Sequence, residues 1–218
     1  MPITTLFLDL DGTVYPNENG IWEAISNRME IYMYEMLNIP KDDIPTIRQN
    51  FYHKYGTTLK GLQENYSIDQ YEYLHFVHDI PIDQYLKPDD TLRDLLKSIP
   101  ITKWIFTNSD HAHSERVLNA LEIRDLFDGI IDVTIMNFVN KPDPLAYNYA
   151  VKIAGNPEPI NCVLFEDNLK NLLPAKELGM KTVLVGKNIN SFGADFSIST
   201  IYEIKNIIDK LDELGINE

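Results

Sequence analysis

The chain has 218 residues, with 19 Lys and Arg against 33 Asp and Glu and a net charge of −14. That charge argues against non-specific binding to nucleic acid or anionic lipid, and an anionic substrate would need local positive charge at its site. An apolar share of 44% argues against disorder, and the single cysteine, Cys162, excludes an internal disulfide and argues against a cysteine-built zinc site. No run reaches the roughly 18 apolar residues of a membrane helix, and residues 1–8 lack the basic and long apolar regions of a signal peptide. The expectation is a soluble, cytoplasmic protein.

The first predicted element is a strand, Ile3–Leu10, apolar on both faces. The pattern then changes. Trp22, Ile25, Met29, Met33 and Met36 recur at gaps of three and four, the mark of an amphipathic helix, and the stripe reads as a helix core filled by adaptable side chains. Ile47, Phe51 and Tyr55 continue at gaps of four. Ser67 with Gln70 is a candidate capping box before Tyr71 and Leu74. With no convincing strand there, residues 15–87 read as a helical subdomain inserted after the first strand. The chain is expected to re-enter the core near Pro88, with a helix carrying Leu92, Leu95 and Leu96.

Further short apolar runs follow at Lys103–Thr107, Gly129–Ile135, Cys162–Phe165 and Thr182–Val185. Helical patterns lie between most of them, at His111–Ile123, Pro144–Ala154 (before Gly155) and Asn171–Leu178 (before Gly179). Alternating strands and helices predict an α/β fold with a doubly wound parallel sheet, which places ligands at the carboxyl ends of the strands.

Four clusters of reactive residues stand at those ends. Asp9-Leu10-Asp11-Gly12-Thr13 closes the first strand. Beyond the strand the glycine permits a turn, so one carboxylate can serve as nucleophile or metal ligand and the other can exchange a proton with a leaving oxygen. The competing view is an acidic turn. Thr107, Asn108 and Ser109 follow the second strand. They can donate to phosphate oxygens, although Ser109 or Asp110 can equally cap the next helix. Lys141 precedes a helix start and can place an ammonium on a phosphoryl group. Glu166 and Asp167 offer a hard cation adjacent carboxylates. Together the four match phosphoryl transfer through a covalent aspartyl-phosphate. The pairs His75/His78 and His111/His113 lack an acidic partner motif and read as packed or solvated histidines.

This set resembles the haloacid dehalogenase-like (HAD) superfamily of phosphohydrolases over essentially the whole chain. The resemblance implies a Rossmann-like core at residues 1–14 and 88–218 and a small α-helical cap at 15–87. It implies Asp9 as nucleophile and Asp11 as general acid and base, whose backbone carbonyl also binds Mg²⁺. It implies Thr107, Asn108 and Lys141 on the phosphate, and Asp167, with Glu166 directly or through water, on the metal. Val14-Tyr15-Pro16 and the segment from Tyr52 to Leu62 are similar to the pyrimidine 5′-nucleotidase branch. The implied substrate is a small phosphorylated metabolite, a pyrimidine nucleoside 5′-monophosphate. Tyr15, His53, Lys54, Tyr55, Thr58 and Lys60 are the expected readers of its non-reacting part. The alternatives are a sugar-phosphate or phosphoglycolate phosphatase, a phosphomutase, a dehalogenase, and a phospho-acceptor signalling domain.

Overall fold

The computed structural model describes residues 2–187 and 192–216. The chain begins with strand β1 (Thr5–Leu8) and then runs through helices α1 (Ile21–Glu35), α2 (Ile44–Tyr55), α3 (Thr58–Asn65), α4 (Gln70–His78), α5 (Ile82–Tyr85) and α6 (Asp90–Lys97). Strands and helices then alternate: β2 (Thr102–Phe106), α7 (His111–Ala120), β3 (Gly129–Ile131), α8 (Pro144–Ile153), β4 (Cys162–Glu166), α9 (Leu169–Leu178) and β5 (Lys181–Val185). A short strand β6 (Phe196–Ile198) and helix α10 (Ile204–Ile216) complete the described residues. Among these residues no helix is long and apolar enough to cross a membrane.

The strands form a six-stranded parallel sheet in the order β3-β2-β1-β4-β5-β6. The alternation along β1 explains why the sheet is covered twice. Leu6 and Leu8 join one apolar cluster, with Ile105, Val163 and Phe165, while Phe7 joins a second, with Phe106, Leu164 and Tyr147. Each face is apolar, so each must be covered. Because β1 lies between β2 and β4, the sheet reverses its winding direction beside β1. That switch point opens a crevice at the carboxyl ends of the three strands.

The expected strands are present, with two differences among the strands and one in a helix cap. The run from Gly129 stops at Ile131 rather than Ile135. Asp132 ends it by accepting bonds from the backbone of Thr134 at 2.8 Å and Ile135 at 3.3 Å, which makes a turn. β6 was not expected: it has three residues at the sheet edge, and the central Ser197 is exposed. The cap of α4 is Asp69 rather than Ser67, since its carboxylate accepts from the backbone of Tyr71 and Glu72.

The methionine stripe is also only half a core. Ile25 and Met33 are buried, but Trp22 and Met36 are about half exposed, and Trp22 and Met29 face a cavity. The cause is that α1 packs on α4, where Tyr32 meets Tyr73 edge to face at 5.0 Å, leaving its flank open.

Candidate active site

The chain leaves β1 at Leu8, and Asp9 is the first residue beyond it. Its backbone N–H still bonds Phe165 of β4 at 2.9 Å, so the carboxylate is fixed at the sheet edge. Gly12 then turns the chain at φ +90°. A Cβ there would lie 2.4 Å from the Asp167 carboxylate, so only glycine lets the two acidic loops approach.

Lys141 enters this edge from the loop before α8. Its ammonium is fully buried and donates to Asp9 Oδ1 at 2.7 Å, Glu166 Oε2 at 2.6 Å and the Phe106 carbonyl at 2.7 Å. Asn108 fixes that loop: its amide donates to the Lys141 carbonyl at 3.0 Å and accepts from the Lys141 N–H at 2.8 Å. The Asn108 side chain, expected on the phosphate, is thus engaged in placing the lysine. Thr107 is buried, its hydroxyl accepting from the Ser109 N–H at 3.0 Å and keeping its own proton to donate. Asp110 caps α7 through the His113 N–H at 2.7 Å.

Asp9, Glu166 and Asp167 offer oxygen atoms within 4.8 Å of one another. One ammonium cannot balance three carboxylates at a buried edge. Burial first, and Glu166 second, push the Asp9 carboxyl up to about 7 against the pull of Lys141. Burial likewise pushes Glu166 up to about 7, with Lys141 opposing and Asp167 adding to the rise. Asp167 is raised as well, by burial and by Asp9. On Lys141 burial works the other way, but Asp9 and Glu166 overcome it and hold the ammonium charged. This excess of buried hard oxygen donors fits a divalent cation such as Mg²⁺.

Asp11 has different neighbours. Its Oδ1 accepts from the Tyr15 hydroxyl and from His113 Nε2 at 2.8 Å, and its Oδ2 accepts from the Ser109 hydroxyl at 2.5 Å. Burial raises its carboxyl, but His113, Ser109 and Tyr15 outweigh burial and hold it well below the usual carboxylate range.

Over these residues lies a cavity of about 830 Å³, floored by Asp9, Asp11, Thr107 and Asp167 and walled by α1, α2 and α4. Of the expected readers, Thr58 lines it. Tyr15 instead bonds Asp11. His53 meets Lys170 at 3.4 Å on the exterior, Lys54 is exposed beside Tyr55, and Lys60 pairs with Glu64 at 2.8 Å. The correction follows from helix phase. Pro45, Arg48, Gln49 and Tyr52 form the stripe of α2 that faces the cavity, and residues 53–55 lie off it. Asn17, which donates to Asp167 at 3.1 Å, carries no motif that would have singled it out, and Tyr52, which accepts from Asn168 at 2.6 Å, begins the cap segment without having been counted among its readers.

A family model for haloacid dehalogenase-like hydrolases matches residues 3–179. The chain belongs to this family. A curated relative, Phosphate metabolism protein 8 of Saccharomyces cerevisiae, is 32% identical over 192 residues, 82% of this chain; the chain spans 60% of that relative's length. Solved structures agree on the fold. A HAD phosphatase from Thermococcus onnurineus superposes with a TM-score of 0.64 at 20% identity, covering 94% of this chain and 98% of the other. A β-phosphoglucomutase from Clostridium difficile gives 0.63 at 21%, covering 98% and 99%. The L-2-haloacid dehalogenase of Xanthobacter autotrophicus gives 0.60 at 12%, covering 95% and 98%.

Proposed function

We propose that the protein is a Mg²⁺-dependent phosphomonoesterase acting through an aspartyl-phosphate on Asp9, with pyrimidine nucleoside 5′-monophosphates as its substrates and residues 15–87 as the cap over them. The observation that carries the chemistry is the division of labour between the two aspartates. Lys141 engages Asp9 Oδ1, while Oδ2 has only a 3.3 Å contact from the Thr13 hydroxyl and is the oxygen placed to attack.

Asp9 Oδ2 forms the new bond to phosphorus. The ester P–O bond breaks, its electron pair stays on the leaving oxygen, and that oxygen takes a proton from Asp11. Asp11, now a carboxylate, removes a proton from water. The water oxygen attacks phosphorus, and the Asp9 carboxylate departs. In the free site Asp11 is held ionised, which suits the second half. The substrate phosphate adds negative charge beside it and raises its carboxyl, which favours the protonated form needed for the first half. Lys141, the Thr107 hydroxyl and the Asn108 backbone N–H hold the phosphate oxygens. Mg²⁺ held by Asp9, Asp167, the Asp11 carbonyl and Glu166, directly or through water, would neutralise phosphate charge and keep Asp9 ionised.

The cavity supports the larger leaving group. Its 830 Å³ has room for a sugar and base, whereas phosphoglycolate would leave most of it empty. Trp22 and Tyr52 offer ring faces, and the Tyr73 hydroxyl and Arg48 Nε are buried polar atoms without protein partners. A phospho-acceptor signalling domain would need neither this roofed cavity nor Asp11. Phosphate release from a panel of esters tests the substrate. UMP and CMP are expected to exceed phosphoglycolate and sugar phosphates in kcat/KM by about tenfold or more. Faster release from either competitor would discard the nucleotide assignment.

The metal assignment has a signature in stability. Asp9 and Glu166 sit at about 7 when folded, above their ordinary values of 3.8 and 4.5. Groups raised in this way stabilise the fold at low pH, and that contribution is lost as pH rises through about 7. Mg²⁺ must displace the same protons. The rise in Tm on adding Mg²⁺ is therefore expected to be larger at about pH 8 than at about pH 5.5. A rise that is equal at both, or absent, would contradict a metal on these carboxylates.

A further inference from the structure

We infer that His113 is the positioning residue that aims Asp11 at the leaving oxygen, and that the helical insertion holds His113 in place through His78. This rests on the phosphatase reading above.

His113 comes from the first turn of α7 and is fully buried. Its Nε2 lies 2.8 Å from Asp11 Oδ1, while its Nδ1 is buried with no partner. A buried polar atom left without a partner is costly, so packing alone is a poor reason to place an imidazole here. Among the described residues the one polar contact the ring makes is with the site carboxylate.

That contact decides which oxygen of Asp11 does the work. Oδ1 accepts from two donors, Tyr15 and His113, whereas Oδ2 meets only the Ser109 hydroxyl. A hydroxyl can turn from donor to acceptor. Oδ2 is therefore the oxygen that can carry a proton without breaking the contacts to Tyr15 and His113. Without His113 the carboxyl loses the only one of these donors that arrives from within a helix, and it can rotate about its χ2, a broad torsion.

The ring of His113 is itself clamped. It stacks on His78 with centroids 4.3 Å apart and planes 19° from parallel. Asp110 braces both residues, accepting from the His113 N–H through Oδ1 at 2.7 Å and contacting His78 Nδ1 through Oδ2 at 2.6 Å. Arg116 ties the same corner, donating to the carbonyls of His78 and of Ile80, the latter at 3.1 Å. His78 is the last residue of α4 and lines the substrate cavity. A single stacked pair thus joins the cavity wall to the residue that orients Asp11.

The test compares the first-turnover release of the leaving group, before water attacks the phosphoenzyme, from an alkyl phosphate and from p-nitrophenyl phosphate, whose leaving oxygen departs without a proton. The ratio of the two rates within one preparation is independent of the folded fraction. His113→Asn is too short to reach Asp11 and is expected to slow the first-turnover release of the alkyl alcohol by about 10²-fold while sparing most of the p-nitrophenol burst; the later hydrolysis of the shared phosphoenzyme, which uses Asp11 as base, falls equally for both esters. His113→Gln places an amide nitrogen near the position of Nε2 and is expected to restore most of the alkyl rate. Equal loss of the first-turnover release on both esters, or no change in its ratio, would overturn the inference and leave His113 a packing residue. If neither His113 variant folds, His78→Phe decides: it keeps a ring on the stack and drops the bond to Asp110. Its ratio should shift toward the aryl ester, and an unchanged ratio would overturn the inference. If the unmodified enzyme hydrolyses neither ester nor a nucleotide, the phosphatase reading itself has failed.

Discussion

Asp9→Asn is expected to remove turnover by at least about 10⁴-fold while leaving the protein folded. The amide keeps the shape of the side chain but cannot form the acyl-phosphate. Stability should survive because Lys141 keeps its bonds to Glu166 and to the Phe106 carbonyl. The variant also removes a carboxyl that burial and Glu166 push up to about 7, so the metal-free protein should melt no lower than the parent at about pH 8. Phosphate release and a thermal melt on the same preparation check both parts. An active Asp9→Asn protein would remove the nucleophile from the mechanism.

The second large effect is at Lys141, where activity and stability should fall together. Lys141→Met is expected to cost about 10²-fold or more in kcat, as for loss of other donors to transition-state charge. It also strips the only ammonium among the described residues that contacts Asp9 and Glu166. Breaking a buried ion pair by removing one partner costs about 3–5 kcal/mol, read from denaturant unfolding of the metal-free protein. The pH dependence has a definite sign. Without the ammonium both carboxyls rise further, so the loss should be greater at about pH 8, where they must ionise, than at about pH 5.5. Lys141→Arg is not expected to rescue either property. Three acceptors converge on one nitrogen at 2.6–2.7 Å in a buried slot, and a planar guanidinium does not fit that arrangement. A Lys141→Met protein as stable as the parent would mean that the carboxylates are not held by this cation.

The two substitutions draw on parts of the site that were legible in very different degrees. Asp9 and Asp167 could be placed because each directly follows a strand whose two apolar faces mark it as central, and strand ends of a doubly wound sheet converge; Lys141 comes ten residues after the edge strand β3 and was marked only by the helix start that follows it. The edge strand β6 could not be read, because three residues with an exposed serine between two apolar ones carry almost no periodicity. The wall of the cavity was less legible still. Tyr52 and Thr58 line it while His53, Lys54 and Tyr55 do not, and that depends on how α2 is rotated against the sheet edge. The gaps of four among Ile47, Phe51 and Tyr55 report the face α2 turns to α3, not the one it turns to the cavity. His113 was visible as a histidine beside another, but its role depends on α7 bringing it to Asp11 across 102 positions of sequence. At Asn108 the structure adds a role that no strand-end pattern shows. An amide at a strand end was expected to touch phosphate, whereas its geometry matches the backbone of Lys141.

The most direct test of the central claim is to trap the intermediate. Enzyme turning over an alkyl phosphate with Mg²⁺ is quenched in acid, reduced with borohydride and mapped by peptide mass spectrometry. Borohydride converts an aspartyl-phosphate to homoserine, and homoserine is predicted at position 9. Reduction at Asp11 instead, or an unmodified Asp9 in an enzyme whose phosphoenzyme accumulates, would contradict the account.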